Sequence, residues 1–318
     1  MESRPSGFNR DVLVDAILEF LDTRDLLAVR DIRSALEREI GDAGPKALLA
    51  LKARLDADNG WHYYPRDPLA QRIHHLLADR FLALGSELRN AHELAAVRNV
   101  PTVIVANHLS YADANVIEVL LQRAGGAELA NRLTALAGPK VFTSRERRFS
   151  SLCFGTVKVP QSVEVASGEA VLSGREIARA ARQSIDVALE RLQQGDALLL
   201  FGEGTRSRNG EMQLMLPGVA RYLSVAGTWV LPVGLAGSET LFPVEVAALR
   251  PARMVLEVGR PIRASALAGH ANGDRRVVMD AIGLAVAEVV PPQYRGVYQS
   301  DDGFPEAKRV LHESRNSA

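Results

Sequence analysis

The sequence predicts an α/β fold: a largely parallel sheet flanked by helices over residues 91–318, preceded by a small helical domain over residues 1–90. Three observations lead there. From about residue 95 onward, short apolar runs alternate with helix-length segments, the pattern of strands connected by helices. Two of the runs, TVIVA at 102–106 and ALLLF at 197–201, are short and apolar and lead into polar turns, as buried strands do. Before residue 90 the apolar residues follow helical spacing instead.

In chain order, 11–21 places Leu13, Ile17, Phe20 and Leu21 on one helical face. A second helix is expected over 25–40, stopped by Gly41, and a third over 45–55, with proline at its start and Gly60 beyond its end. Residues 69–84 make a fourth. The first helix carries Asp15, Glu19 and Asp22 on its polar side, which does not suit anionic lipid, so a bundle is preferred to a membrane anchor. The aromatic turn Trp61-His62-Tyr63-Tyr64-Pro65 reads as a packed corner between helices. Beyond it, strands are expected at 102–106, 133–137, 156–159, 197–201, 229–235 and 254–258. Helices are expected at 115–122, 175–194 (ended by Gly195), 218–225 (opened by Pro217) and 274–290 (stopped by Pro291). The Ser-, Gly- and Ala-rich stretch 164–173 reads as a loop.

Bulk properties narrow the function. The chain has 318 residues, 47% of them apolar, enough for a sizeable core. Lys plus Arg and Asp plus Glu number 38 each, a balance that argues against nucleic-acid binding through bulk charge. The single cysteine, Cys153, excludes an internal disulfide, fits a reducing cytosol and reads as a small buried hydrophobe. No secretory leader is visible at 1–10, and no run reaches about 18 uninterrupted apolar residues, so no transmembrane helix is expected. A cytoplasmic protein is implied. If its substrates are lipids, either it touches the inner face of the membrane peripherally or one acceptor is water-soluble.

Chemistry concentrates at two strand exits. The first is Asn107-His108-Leu109-Ser110-Tyr111-Ala112-Asp113. Across a turn, the Asp113 carboxylate can fold back onto an imidazole nitrogen of His108, fix its tautomer and leave the other nitrogen as a base. The same residues have a bland reading, since Ser110-x-x-Asp113 is also a capping box. The second exit is Gly202-Glu203-Gly204-Thr205-Arg206-Ser207-Arg208. Its bland reading is a solvated connection with Arg206 paired to Glu203.

Together, an Asn-His-x4-Asp box and a Glu-Gly-Thr-Arg box, in this order, resemble the glycerolipid acyltransferases, which include glycerol-3-phosphate and 1-acylglycerol-3-phosphate acyltransferases. Val230-Leu231-Pro232-Val233-Gly234 looks like the last box of that family, and the tail 291–298 (PPQYRGVY) looks like its bacterial members. The resemblance implies acyl transfer from acyl-CoA or an acyl carrier protein thioester to a glycerol phosphate or lysophospholipid. It implies His108 as general base and Asp113 as its orienting acid. It implies Asn107, Lys140, Glu203, Gly204, Thr205, Arg206 and Arg208 as substrate-binding residues, with Arg206 on phosphate and Glu203 on glycerol hydroxyls. Lys140 would serve the oxyanion or the phosphate. No metal or bound cofactor is implied, and no Cys/His cluster has ligand spacing. Arg145, Arg147 and Arg148 make a basic cluster that suits lipid headgroups, an acidic carrier protein or an exposed helix face.

Two departures are visible. Gly202 stands where the family has proline. The glycine-to-arginine box of the family aligns on 155–161 and ends in Gln161, so that arginine is missing; Lys158 is a candidate substitute. The alternatives are an acyltransferase for an unphosphorylated hydroxyl or amine, a thioesterase-like hydrolase, and a catalytically silent lipid-binding protein of the same fold. The lack of a Gly-x-Ser-x-Gly elbow counts against the hydrolase.

Overall fold

A computed structural model describes residues 8–21, 26–57, 60–160, 173–241 and 250–317. Asp22, Asp25, Gln161 and most of the loop expected at 164–173 lie outside the described residues. Among those described, the sheet has nine strands: β1 (Tyr63–Tyr64), β2 (Glu87–Arg89), β3 (Thr102–Ala106), β4 (Leu133–Ala137), β5 (Gly155–Lys158), β6 (Ala197–Phe201), β7 (Trp229–Ala236), β8 (Val255–Val258) and β9 (Ile262–Arg263). Their order is β1-β5-β4-β6-β3-β7-β8-β2, with β9 also on β7. The central run β5-β4-β6-β3-β7 is parallel throughout. Antiparallel pairings lie outside it, at β1–β5, β7–β8 and β7–β9.

Both faces of this sheet are covered, which is why its central strands are buried at nearly every position and mostly apolar. Successive side chains alternate between two cores: Ile104, Leu199 and Leu231 face one, and Val103, Leu198 and Val230 face the other. The first core is closed by the N-terminal helices α1 (Arg10–Leu21), α2 (Leu26–Leu55) and α3 (Pro68–Phe81) together with α4 (Asp113–Arg123). The second is closed by α7 (Gly174–Gln193), α8 (Ala264–His270), α9 (Arg275–Ala287) and α10 (Pro305–Asn316). Two short helices, α5 (Ala127–Asn131) and α6 (Arg145–Ser151), lie between β3 and β5 in the chain.

The expected helices are present, with physically interpretable shifts. The stop expected at Gly41 falls at Gly44, whose φ of +78° bends α2 just before Pro45. Proline disfavours the helical conformation at the residue before it, and glycine there accepts a left-handed one. In α1, Phe20 is 43% exposed and Val14 takes its place in the buried stripe. The aromatic turn is not a helix corner: Tyr63 and Tyr64 pair with Val157 and Thr156 as an edge strand. The helix expected at 218–225 is a 3-10 turn over Pro217–Leu223 whose apolar side chains are only partly buried against the second core. Both β1 and β2 come from the first 90 residues, so the sheet draws on both sides of residue 90.

One polar cluster is sealed between α3 and α4. Glu118 is fully buried and accepts from Gln71 Nε2 at 3.1 Å and His75 Nε2 at 3.0 Å, with His74 Nε2 at 3.4 Å. Burial works to raise the Glu118 carboxyl, but the bonds from His74 and His75 outweigh it and bring it to about 2. Cys153 is buried close by, and burial raises its thiol well above the usual range, as the reading of an inert thiol requires.

Candidate active site

Register brings the two boxes together. In the parallel pairing, Ala106 of β3 is level with Phe201 of β6 and with Val233 of β7. The residues that follow, Asn107-His108 and Gly202-Glu203, therefore leave the sheet side by side at its C-terminal edge, the edge where open parallel sheets bind ligands.

His108 is held on four sides. Its Nδ1 lies 2.8 Å from Asp113 Oδ2. A carboxylate only accepts, so Nδ1 carries the hydrogen and Nε2 is left as the basic nitrogen. Its ring stacks on Phe201, with centroids 4.1 Å apart and planes 15° from parallel. Its amide donates to Glu203 Oε1 at 2.9 Å, and its carbonyl accepts from the Ser207 amide at 2.8 Å. The side chain is 19% exposed, and Nε2 meets no partner among the described residues.

Asp113 is fully buried at the first position of α4, yet it does not cap that helix. Its Oδ2 also accepts the Leu109 and Ser110 amides at 2.6 and 2.9 Å, and its Oδ1 accepts from Ser238 Oγ at 2.6 Å. Half of the capping box is present, since the carboxylate accepts the Ser110 amide while Ser110 Oγ accepts from the Ala112 amide, and the same carboxylate is fixed on the histidine. Ser238, just past β7, was not foreseen, because 125 residues separate it from Asp113 in the chain.

Glu203 and Asn107 are placed differently from expectation. Glu203 is only 4% exposed, and its oxygens accept the amides of His108 and Gln213, each at 2.9 Å. It ties the two exits together rather than facing a ligand. Burial pushes its carboxyl up to about 7, although the two amides offset part of the effect. Asn107 is fully buried. Its amide group donates to the Leu235 carbonyl at 2.9 Å and its oxygen accepts the Leu235 amide at 2.8 Å. It completes a strand-like pairing with β7 beyond the end of β3, with its side chain turned into the core.

The second box is shaped by its glycines. Gly204 has φ +70°, and a Cβ there would strike Leu216. A Cβ at Gly202 would strike the Met215 sulfur, so the Met215 side chain fills the space beside this glycine. Thr205 and Arg206 are half-buried and Arg208 is exposed. Arg206 does not pair with Glu203; its guanidinium lies over the Tyr111 ring, 4.4 Å from the centroid. The loop that follows is braced from the C-terminal tail. The Met212 amide donates to the Tyr294 carbonyl at 2.8 Å, and the Met215 amide donates to the Tyr298 hydroxyl at 3.0 Å.

Lys140 leaves the same sheet edge, half-buried in the 3-10 turn Pro139–Phe142 after β4. The expected basic cluster beyond it is divided. Arg145 pairs with Asp56 at 2.8 Å, and Arg148 is buried with its guanidinium 5.4 Å from the Tyr64 ring centroid. Arg147 lies over Tyr111. Lys158 is buried too, its ammonium 4.7 Å from the Trp61 ring centroid and 5.3 Å from that of Phe142. No helix among the described residues is long and apolar enough to cross a membrane.

The family model for the acyltransferase domain matches residues 86–236. A stretch of 106 residues is 33% identical to a 1-acyl-sn-glycerol-3-phosphate acyltransferase of Chlamydomonas reinhardtii, covering 33% of this chain and 30% of that protein. Among solved structures, the 1-acyl-sn-glycerophosphate acyltransferase PlsC of Thermotoga maritima is similar with a TM-score of 0.43 at 17% identity, over 88% of this chain and 97% of that one. The matched residues 86–236, a little under half of the chain, contain both boxes and the three strands that align them, and it is this region that is similar to the acyltransferase domain.

Proposed function

We propose that this chain transfers an acyl group from an acyl-CoA or acyl carrier protein thioester to a hydroxyl of glycerol 3-phosphate or a 1-acylglycerol 3-phosphate. The observation that carries the reading is the His108–Asp113 pair, with Nε2 unengaged at the sheet edge. His108 Nε2 takes the acceptor's hydroxyl proton as that oxygen attacks the thioester carbonyl. The tetrahedral intermediate collapses by breaking the C–S bond. The departing thiolate takes the proton back from Nε2, so no enzyme nucleophile is consumed. Asp113, held by three other donors, stabilises the imidazolium between these steps. Glu203 and Asn107 are positioning residues in this scheme. Arg206 is assigned to the acceptor's phosphate, and Lys140 to the oxyanion or the phosphate. The name of the Chlamydomonas relative supports the acceptor class.

The test is thiol release from acyl-CoA, with acylated product followed in parallel, with and without glycerol 3-phosphate, 1-acylglycerol 3-phosphate and monoacylglycerol. Release that depends on a phosphorylated acceptor supports the reading. Release that is as fast without acceptor makes the chain a hydrolase and overturns it. No release from any donor leaves the lipid-binding alternative.

A further inference from the structure

Tyr111 stands on the turn between His108 and Asp113 and is 46% exposed. Two guanidiniums reach its ring from different parts of the chain. Arg206 comes from the second box, 4.4 Å from the ring centroid, and Arg147 comes from α6, 5.1 Å from it. Neither meets a carboxylate among the described residues. The polar contact of Arg147 is a bond from Nη1 to the Lys140 carbonyl at 3.3 Å, which brings the Lys140 backbone to the same place. Asp113 is committed to His108, Glu203 to two amides and Asp56 to Arg145.

Two like charges gathered on one aromatic ring repel, and the ring's attraction for each is modest. Among the described residues the arrangement lacks a counter-charge, and it lies three residues along the turn from the base. Two planar donor forks approaching from separate elements suit a tetrahedral dianion, which offers oxygens in several directions, better than a single planar carboxylate. We propose that Arg147 and Arg206, spaced by the Tyr111 ring, form a two-guanidinium clamp for a phosphate monoester, with Arg147 as a specificity-determining residue for the acceptor. The inference rests on the acyl-transfer reading above and names what holds the phosphate in it. The ring orients the forks, so its aromatic face matters and its hydroxyl does not.

The test compares wild type with Arg147→Ala, Arg147→Lys, Tyr111→Phe and Tyr111→Leu, using glycerol 3-phosphate and monoacylglycerol as acceptors and inorganic phosphate as a competitor. Arg147→Ala is expected to raise KM for glycerol 3-phosphate about 10-fold or more, with a much smaller change in kcat and none in the use of monoacylglycerol. Arg147→Lys should recover only part of the loss, Tyr111→Phe should match wild type, and Tyr111→Leu should resemble Arg147→Ala. Inhibition by inorganic phosphate should weaken in step with KM. Transfer to glycerol 3-phosphate with an unchanged KM in Arg147→Ala overturns the clamp and leaves the acyl-transfer reading standing. A wild type without acceptor-dependent turnover overturns that reading instead, and the clamp is then decided by direct titration of inorganic phosphate. Weaker binding by Arg147→Ala supports the clamp, and equal or absent binding in both proteins overturns it.

Discussion

Glu203 accepts the main-chain amide of His108 at 2.9 Å, so a carboxylate at one strand exit sets the backbone of the base at the other. The same side chain anchors Gln213 in the loop beyond. Glu203→Gln keeps the shape but turns one acceptor into a donor that faces an amide hydrogen. It is expected to lower kcat more than it raises acceptor KM, a split to be read from steady-state kinetics.

The same residue gives a pH signature to stability. Its folded value of about 7 lies above the ordinary 4.5, so the folded state holds the proton more tightly than the unfolded one. Its contribution is complete below 4.5 and is lost as pH rises through about 7, at most roughly 3 kcal/mol. Urea midpoints of wild type should therefore fall between pH 5 and pH 8 by more than those of Glu203→Gln. Parallel curves for the two proteins would show that another group titrates.

His108→Ala is expected to lower turnover by about 10²–10⁴-fold, the range for losing a general base. Asp113→Asn should impair turnover as well, because an amide can present its NH2 group to Nδ1 and favour the wrong tautomer. Turnover of His108→Ala at saturating substrates that equals wild type would exclude the proposed base.

Glu118 joins the N-terminal helices to the helix that carries Asp113. Glu118→Ala leaves the buried His74 without its acid and should destabilise the fold by about 3 kcal/mol at neutral pH, measured by denaturant titration. The folded value is depressed to about 2, so the wild-type contribution is present above 4.5 and lost as pH falls toward 2. The gap between mutant and wild type should narrow over that window. A gap independent of pH would point to lost packing alone.

Tyr298→Phe removes the acceptor of the Met215 amide and the donor to Asp280, both within a buried contact. A stability loss of about 1–2 kcal/mol is expected, together with a raised acceptor KM as the loop after the second box shifts. An unchanged KM alongside the stability loss would confine the tail to folding.

What could be read from the sequence was whatever is local in the chain. The buried strands TVIVA and ALLLF, the turn that brings Asp113 back to His108, and the helix α7 with its Gly195 stop all declare themselves within a few residues. Contacts made through register did not. Asn107 and Glu203 look like ligand residues because they are polar and sit in boxes, yet parallel pairing places Leu235 and the His108 amide within their reach. Ser238 and Tyr298 gave no signal, because their partners are brought to them only by the closed sheet and the returning tail. The basic cluster 145–148 read as one patch, but helical rotation sends its arginines to an acid, to an exposed ring at the site and into the core.

The hold of Tyr294 and Tyr298 on the loop after the second box also sets an order of events in synthesis. A growing chain has both boxes and β7 by residue 236, but the partners of Met212 and Met215 are made some sixty residues later. Until they emerge, the Met215 amide has no acceptor and the loop beside Arg206 has no brace. Translation itself thus delays the bracing of the site until Tyr298 has been made, and a chain that stops short of it is expected to expose its histidine beside an unbraced loop.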